Sequence, residues 1–351
     1  MEGQKRVWEG AIPLQIRLHD SEVTTLPPPP PVLLLAPRVG YLPLLLPMIG
    51  PHFAASLPPG TDTPWFDYNG LPLKWYIPTG VLFDLLCAQP ERPWNLTVHF
   101  RGYPSSDLIP CDGEDSVKWN FINSLKEADY IINGNCKNVM HMSQADQVEI
   151  WQSVINANLE AYLRASSKLK LGTVEDRYSS SLNFASLKSQ KSSLNGDSTG
   201  QIKSDKVPVR LYIRYVTEDF EELEDMPQID SWDQISYINR PLHFCSEEGK
   251  CFTLADALRT LLPELYPEKP SIAAGPCADD SKVGPEDANE NLNTSQPVDS
   301  SHSSTDAEIK LVRIQGIEPK LEIPISWMAS NLKNPEHFLH LCLFVKSGHL
   351  V

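Results

Sequence analysis

Glycine, basic charge and uninterrupted apolar runs are all in short supply in this chain. Its 351 residues hold 18 glycines, below the usual share of about 7%. Phosphate-cradling loops need close backbone approach, and no Gly-x-x-x-x-Gly-Lys-Ser/Thr string occurs. Lys and Arg number 30 against 45 Asp and Glu, a net charge of −15. Such a chain repels phosphate backbones and anionic surfaces, so no nucleic-acid partner is expected. A membrane contact would need a local basic face, for which Arg6, Arg38 and Lys74 are the candidates. The most apolar stretch, residues 32–49, is interrupted by Pro37, Arg38, Pro43 and Pro47. It reads as core strand, since those residues break a membrane span. The N-terminus has no apolar targeting segment behind Lys5 and Arg6, so secretion is not expected. Seven cysteines, odd in number and scattered, fit reduced thiols in the cytosol better than a disulfide framework.

Proline, by contrast, is abundant, with 31 residues. Three folded segments separate around polar stretches. In the first, Ile12, Leu14, Ile16 and Leu18 alternate as on a half-buried strand. Leu26 and Pro27 then open a stiff connection, and Val32-Leu33-Leu34-Leu35 reads as a buried strand. Asn69-Gly70 between Trp65-Phe66-Asp67-Tyr68 and Leu71-Pro72-Leu73-Lys74-Trp75 predicts a hairpin. A helix is expected over Val81 to Cys87 with Thr79 as its N-cap, followed by a strand from Trp94. Two hairpins, a helix and a closing strand give a mixed sheet with a helix across it, a ubiquitin-like roll.

The second segment changes period. Val117, Phe121, Leu125, Ala128 and Ile132 share one helical face, and Ser143 with Asp146 resembles a capping box. Behind it, Val148, Trp151, Ile155, Leu159 and Tyr162 form a second apolar stripe. The third segment resumes at Val207 with a strand, a helix capped near Thr253, two further strands and a short helix, repeating the first. Expected boundaries are an N-terminal helix or arm at 1–10, a first roll at 11–105, a helix-rich domain at 112–178 and a linker at 179–204. A second roll follows at 205–351, with a polar insertion at about 273–308.

Enzyme chemistry finds little support. His337, His340 and Cys342 offer three metal ligands, but strand geometry sends 337 and 340 to opposite faces; they read as surface or half-buried residues. Cys245 and Cys251 have the wrong spacing for zinc and are expected to flank a turn at Gly249. Cys87 and Cys342 lie in apolar runs, whereas Cys111 and Cys136 lie in polar loops. The acidic run from Glu218 to Asp225 reads as a solvated loop. No cofactor and no metal is expected.

Specific strings then carry a resemblance. Val7-Trp8-Glu9-Gly10-Ala11-Ile12-Pro13, Leu33-Leu34-Leu35-Ala36-Pro37-Arg38-Val39-Gly40-Tyr41-Leu42 and Leu73-Lys74-Trp75-Tyr76-Ile77-Pro78-Thr79-Gly80 resemble the autophagy protein 5 family. So do Pro93-Trp94-Asn95-Leu96, Leu125-Lys126-Glu127-Ala128-Asp129, Gly316-Ile317-Glu318-Pro319 and Pro335-Glu336-His337-Phe338-Leu339-His340. The long polar stretches suit a plant-like member. The resemblance implies an α+β chain, two ubiquitin-like (β-grasp) domains flanking a helix-rich one. It implies a non-catalytic cytoplasmic scaffold for autophagosome formation, peripheral at the pre-autophagosomal membrane when in complex. Its partners would be the ubiquitin-like autophagy protein 12, joined by an isopeptide bond, and autophagy protein 16, laid as a helix in a groove. The E1-like autophagy protein 7 and E2-like autophagy protein 10 would make the bond. The conjugate would act through E2-like autophagy protein 3 to promote lipidation of autophagy protein 8. By the same resemblance the covalent acceptor is Lys126.

Helical phase puts Lys126 on the solvent side, about 140° from the centre of the apolar stripe. Glu127 and Asp129 are expected beside its amine, Asp129 as an i,i+3 pair. An ordinary lysine amine is protonated at neutral pH, so an external enzyme must supply deprotonation and activation. Trp75, Pro78 and Gly80 suit a strand-to-helix corner as well as a partner contact, and Trp119, Trp151 and Trp232 are the aromatics available to a partner groove. Two other readings stay open: a thiol enzyme acting on ubiquitin-like proteins, and an unconjugated adaptor.

Overall fold

The computed structural model describes residues 2–60, 62–169, 171, 205–216, 226–244, 251–266 and 308–346. The expected linker, the acidic run, the turn expected at Gly249 and nearly all of the polar insertion lie outside the described residues.

The first roll is a five-stranded sheet. Strands β1 (Ala11–Leu18), β2 (Val32–Pro37), β3 (Trp65–Tyr68), β4 (Leu71–Pro72) and β5 (Trp94–His99) lie in the order β2-β1-β5-β3-β4. β1 runs parallel to β5 and antiparallel to β2. The alternation of Ile12, Leu14, Ile16 and Leu18 buries one face of β1. Asn69 and Gly70 both take positive φ, as a two-residue hairpin demands. Two expectations change. β2 is an edge strand rather than a buried one, with Leu33 and Leu35 69% and 68% exposed. The 32–49 stretch is also not all strand: helix α2 (Leu46–Phe53) follows, preceded in the chain by α1 (Glu2–Trp8). Pro47 sits in the first turn of α2, where proline's missing N–H costs nothing.

Helix α3 (Thr79–Leu86) buries all eight of its residues, because it is covered on two sides. One face closes the core of the first sheet. The other meets the second sheet, where Cys342 Sγ reaches the Val81 carbonyl at 3.8 Å. The N-cap is Pro78, and Thr79 is buried within the helix instead of capping it.

The helical region holds α4 (Glu114–Asn133), α5 (Lys137–Met140), α6 (Gln144–Ile155) and α7 (Leu159–Ser166). The expected second stripe is divided between two helices at Ala157, whose φ is +48°. Trp151 and Tyr162 are buried, but Val148 faces solvent; α6 instead packs with Ile150, Trp151 and Val154. Ser143 caps α6 by accepting the Asp146 N–H.

The second roll repeats the first. Strands β6 (Asp205–Val216), β7 (Ile235–Phe244), β8 (Glu308–Arg313) and β9 (Leu339–Lys346) lie in the order β7-β6-β9-β8, with β6 and β9 parallel. Helix α8 (Leu254–Leu261) starts from a full capping box between Thr253 and Asp256, and α9 (Ile325–Asn331) precedes β9. β6 is buried on both faces. Val207, Val209, Leu211 and Ile213 face α8 and α9, while Tyr212 joins the core of the first roll.

Polar contacts seal the junction between rolls. Arg38 donates to Asp84 at 2.5 Å, and the Gly316 N–H reaches the same carboxylate oxygen at 2.7 Å. Burial raises the Asp84 pKa even so, with Arg38 opposing. Arg313 donates to the carbonyls of Cys87 and Ala88, each at 2.8 Å, where the C-terminal end of α3 carries partial negative charge.

Candidate functional site

The best-defined candidate is the outer face of α4. The helix begins at Gly113 with Glu114 and Asp115 in its first turn, favourable beside the positive end of the dipole. It ends at Gly134 in the left-handed conformation, whose N–H closes on the Tyr130 carbonyl. Val117, Phe121, Leu125 and Ala128 are fully buried and Ile132 partly so, so the expected apolar face holds. Lys126 therefore projects from the opposite side, half-exposed, and Nζ donates to Asn123 Oδ1 at 3.3 Å.

The carboxylates on either side are committed elsewhere, which corrects the expectation that they flank the amine. Glu127 accepts from Arg210 at 2.8 Å and from Asn239 at 2.6 Å, tying α4 to β6 and β7. Asp129 is fully buried. It accepts from Asn133, from Asn138 and from the Val139 N–H, fastening α5 to the end of α4. Within five residues, Leu125 and Ala128 hold the helix down, Glu127 and Asp129 fix its neighbours, and Lys126 remains outward on a rigid support.

The candidate metal ligands and three of the thiols are packed into the fold. His337 precedes β9 at φ +68° and is not on the strand, while His340 and Cys342 are buried rather than superficial. His340 pairs with Glu336 at 2.7 Å. Burial lowers the pKa of His340, and lowers that of His337 well below its ordinary value. No group of three or more metal-ligating side chains converges among the described residues. Burial pushes the Cys87 thiol up to about 12 and raises Cys111 and Cys342 as well. Cys111 is thus buried, contrary to its polar sequence context. A Gly-x-Ser-x-Gly spacing does occur at Gly196-Asp197-Ser198-Thr199-Gly200, outside the described residues. The residues before it, Ser189-Gln190-Lys191-Ser192-Ser193, are polar in sequence, without the apolar run that motif follows.

The three candidate tryptophans part ways. Trp151 is buried and donates to Glu114 at 2.7 Å. Trp232 joins the rolls by donating to the Pro72 carbonyl at 2.7 Å, beneath the Lys74 ammonium. Trp119 alone of the three stands well exposed, on the same side of α4 as Lys126. Trp75 and Gly80 serve the fold: Trp75 donates to the Ile109 carbonyl, and Gly80 packs on Arg38. Arg6, Arg38 and Lys74 do not assemble a basic face. Arg38 is buried against Asp84, burial lowers the Lys74 pKa, and Arg6 pairs with Glu2 on α1. No helix among the described residues is long and apolar enough to cross a membrane.

Comparison with known proteins covers every folded segment. Residues 7–100 match the family described as Autophagy protein ATG5, UblA domain; 114–172 match its alpha-helical bundle region and 206–343 its UblB domain. The chain is 59% identical over 346 residues to Autophagy protein 5 of Arabidopsis thaliana, covering 99% of this chain and 98% of that one. It is 54% identical to Autophagy protein 5 of Oryza sativa subsp. indica, covering 98% and 94%. The crystal structure of Kluyveromyces marxianus Atg5 shares the fold, with a TM-score of 0.59, 21% identity and 99% coverage of both chains.

Proposed function

The chain belongs to the autophagy protein 5 family, and we propose that within it the chain is a scaffold for autophagosome formation modified through Lys126. In this reading the ε-amine attacks the thioester carbonyl at the C-terminal glycine of autophagy protein 12. A C–N bond forms as the C–S bond breaks, the enzyme's cysteine leaves as thiolate, and the amine's proton passes to a base on that enzyme. Autophagy protein 7 activates the modifier and autophagy protein 10 transfers it. The conjugate, with autophagy protein 16 held as a helix in a groove, promotes transfer of autophagy protein 8 to lipid through autophagy protein 3. On this reading the protein acts in the cytoplasm and, in complex, at the growing membrane.

The observation that carries the reading is the isolation of the amine. Lys126 contacts Asn123, while both neighbouring carboxylates are held by other groups. An amine held outward beside an amide, with both neighbouring carboxylates engaged elsewhere, suits a substrate of an external conjugating enzyme that brings its own base. Burial removes Cys87, Cys111 and Cys342 as nucleophiles for a thiol enzyme, since the thiolate is the reactive form, and leaves Cys136 and Cys251 as the candidates among the described cysteines. Tryptic mapping of the protein from its native cells tests the reading. A branched glycine remnant on Lys126 is expected; a conjugate branched at a different lysine would displace it.

A further inference from the structure

Four aromatic side chains stand among the well-exposed large hydrophobics of the described residues: Trp119, Tyr130, Tyr237 and Trp327. Two of them flank Lys126 on its own helix. At 100° per residue, Trp119, Asn123, Lys126 and Tyr130 fall within about 60° of arc. Trp119 lies about 10 Å along the axis on one side of Lys126, and Tyr130 about 6 Å on the other. Both are more than half exposed, at 57% and 63%. At that exposure neither ring contributes much to the core. Exposed Trp and Tyr are the residues that most often anchor protein contacts.

The charge of the stripe is mixed. α4 carries Glu114, Asp115, Lys118, Lys126, Glu127 and Asp129, and the same helical phase puts exposed Asp115 within about 20° of Lys126. Glu127 is neutralised by Arg210 and Asp129 is buried. Lys126 is therefore the charge between the two rings, with Asp115 one turn beyond Trp119, and the outward face is aromatic rather than cationic.

Reach identifies the occupant. Nucleophilic attack requires the thioester carbon within about 3.5 Å of Nζ. A domain of 100 residues has a radius of gyration of about 13 Å. An enzyme that brings its active site to Lys126 thus covers the positions of Trp119 and Tyr130. The modifier hangs from a C-terminal tail and carries no such obligation. We infer that Trp119 and Tyr130 form the docking strip on which the thioester-bearing conjugating enzyme aligns over Lys126; the inference rests on the acceptor role proposed above. Trp119 and Tyr130 are positioning residues. They supply the orientation that the amine alone cannot.

The test is steady-state conjugation with purified activating and conjugating enzymes and the modifier, varying the concentration of the full-length chain. Trp119→Ala with Tyr130→Ala is expected to raise KM for the chain about tenfold or more, with kcat retained at saturation. Trp327→Ala, on α9, serves as the control and is expected to leave both unchanged. Thermal melts establish that the double variant is folded. As a second readout, Lys126→Arg protein is expected to inhibit conjugation of wild type by occupying the enzyme, and to lose that inhibition when Trp119 and Tyr130 are also replaced. An unchanged KM, or undiminished inhibition, would overturn the docking strip. Normal conjugation of Lys126→Arg itself would instead overturn the acceptor reading, so the two failures are distinguishable.

Discussion

Glu127 Oε2 lies 2.8 Å from Arg210 Nη2, so the residue next to the proposed acceptor is also what fastens the central helix to the second roll. Arg210 is mostly buried, with its guanidinium stacked 3.8 Å over the Phe338 ring and within reach of Ser124. Lys126 is thereby oriented by the junction of two domains, and its direction does not depend on the helix alone.

Removing that carboxylate leaves Arg210 with less compensation in a desolvated place. Glu127→Ala is expected to cost about 1–2 kcal/mol, at the low end for charged hydrogen bonds because Glu127 is partly exposed. Urea denaturation of the variant against wild type reads this directly as a shift of midpoint at constant slope.

Gly316 shows a tighter constraint. Its φ is +73°, and a Cβ built there would stand 3.0 Å from the Arg38 guanidinium carbon. Gly316→Ala therefore strains the backbone and pushes Arg38 away from Asp84. A loss of about 1–3 kcal/mol is expected, read as a lowered thermal midpoint.

Acid should loosen the molecule before ordinary carboxylates titrate. His337 and His340 have folded pKa values below the usual 6.5 because burial disfavours their charged form. The unfolded chain then binds more protons than the folded one as pH falls through 6.5, so stability is full above that value and declines below it. Denaturation midpoints measured between pH 7.5 and 5 should fall with pH. His337→Asn tolerates positive φ and is expected to flatten that slope.

Thiol reactivity should divide by burial. Cys251 is exposed, whereas Cys87, Cys111 and Cys342 are buried with raised pKa values. Alkylation of the native protein at pH 8 is expected to label Cys251 and spare those three, with all four labelled in denaturant. Mass-spectrometric mapping checks it.

Local features were readable in the chain wherever local physics decides the structure. The alternation in β1, the turn at Asn69 and Gly70, the capping box at Thr253 and the outward phase of Lys126 all depend on residues a few positions apart. What sequence concealed depends on distant contacts. The alternation of β6 reads as a strand but does not reveal that both of its faces are covered: Tyr212 and Arg214 are buried where the first roll meets them. Leu33 and Leu35 looked like core, yet β2 has a neighbour on one side only. α2 was hidden by Pro47, Gly50 and Pro51, since a helix whose first turn accepts proline carries a weak periodic signal. Asp129 could not be assigned to α5 until the chain beyond Gly134 was seen to turn back on it.

The central claim is that one amine, held outward by α4, receives a second polypeptide. The most direct measurement is a reconstituted conjugation reaction comparing wild type with Lys126→Arg, which keeps the charge but offers no usable nucleophile. Wild type is expected to gain the mass of a single modifier, and the variant to gain none. Conjugation of the variant at the wild-type rate would contradict the account.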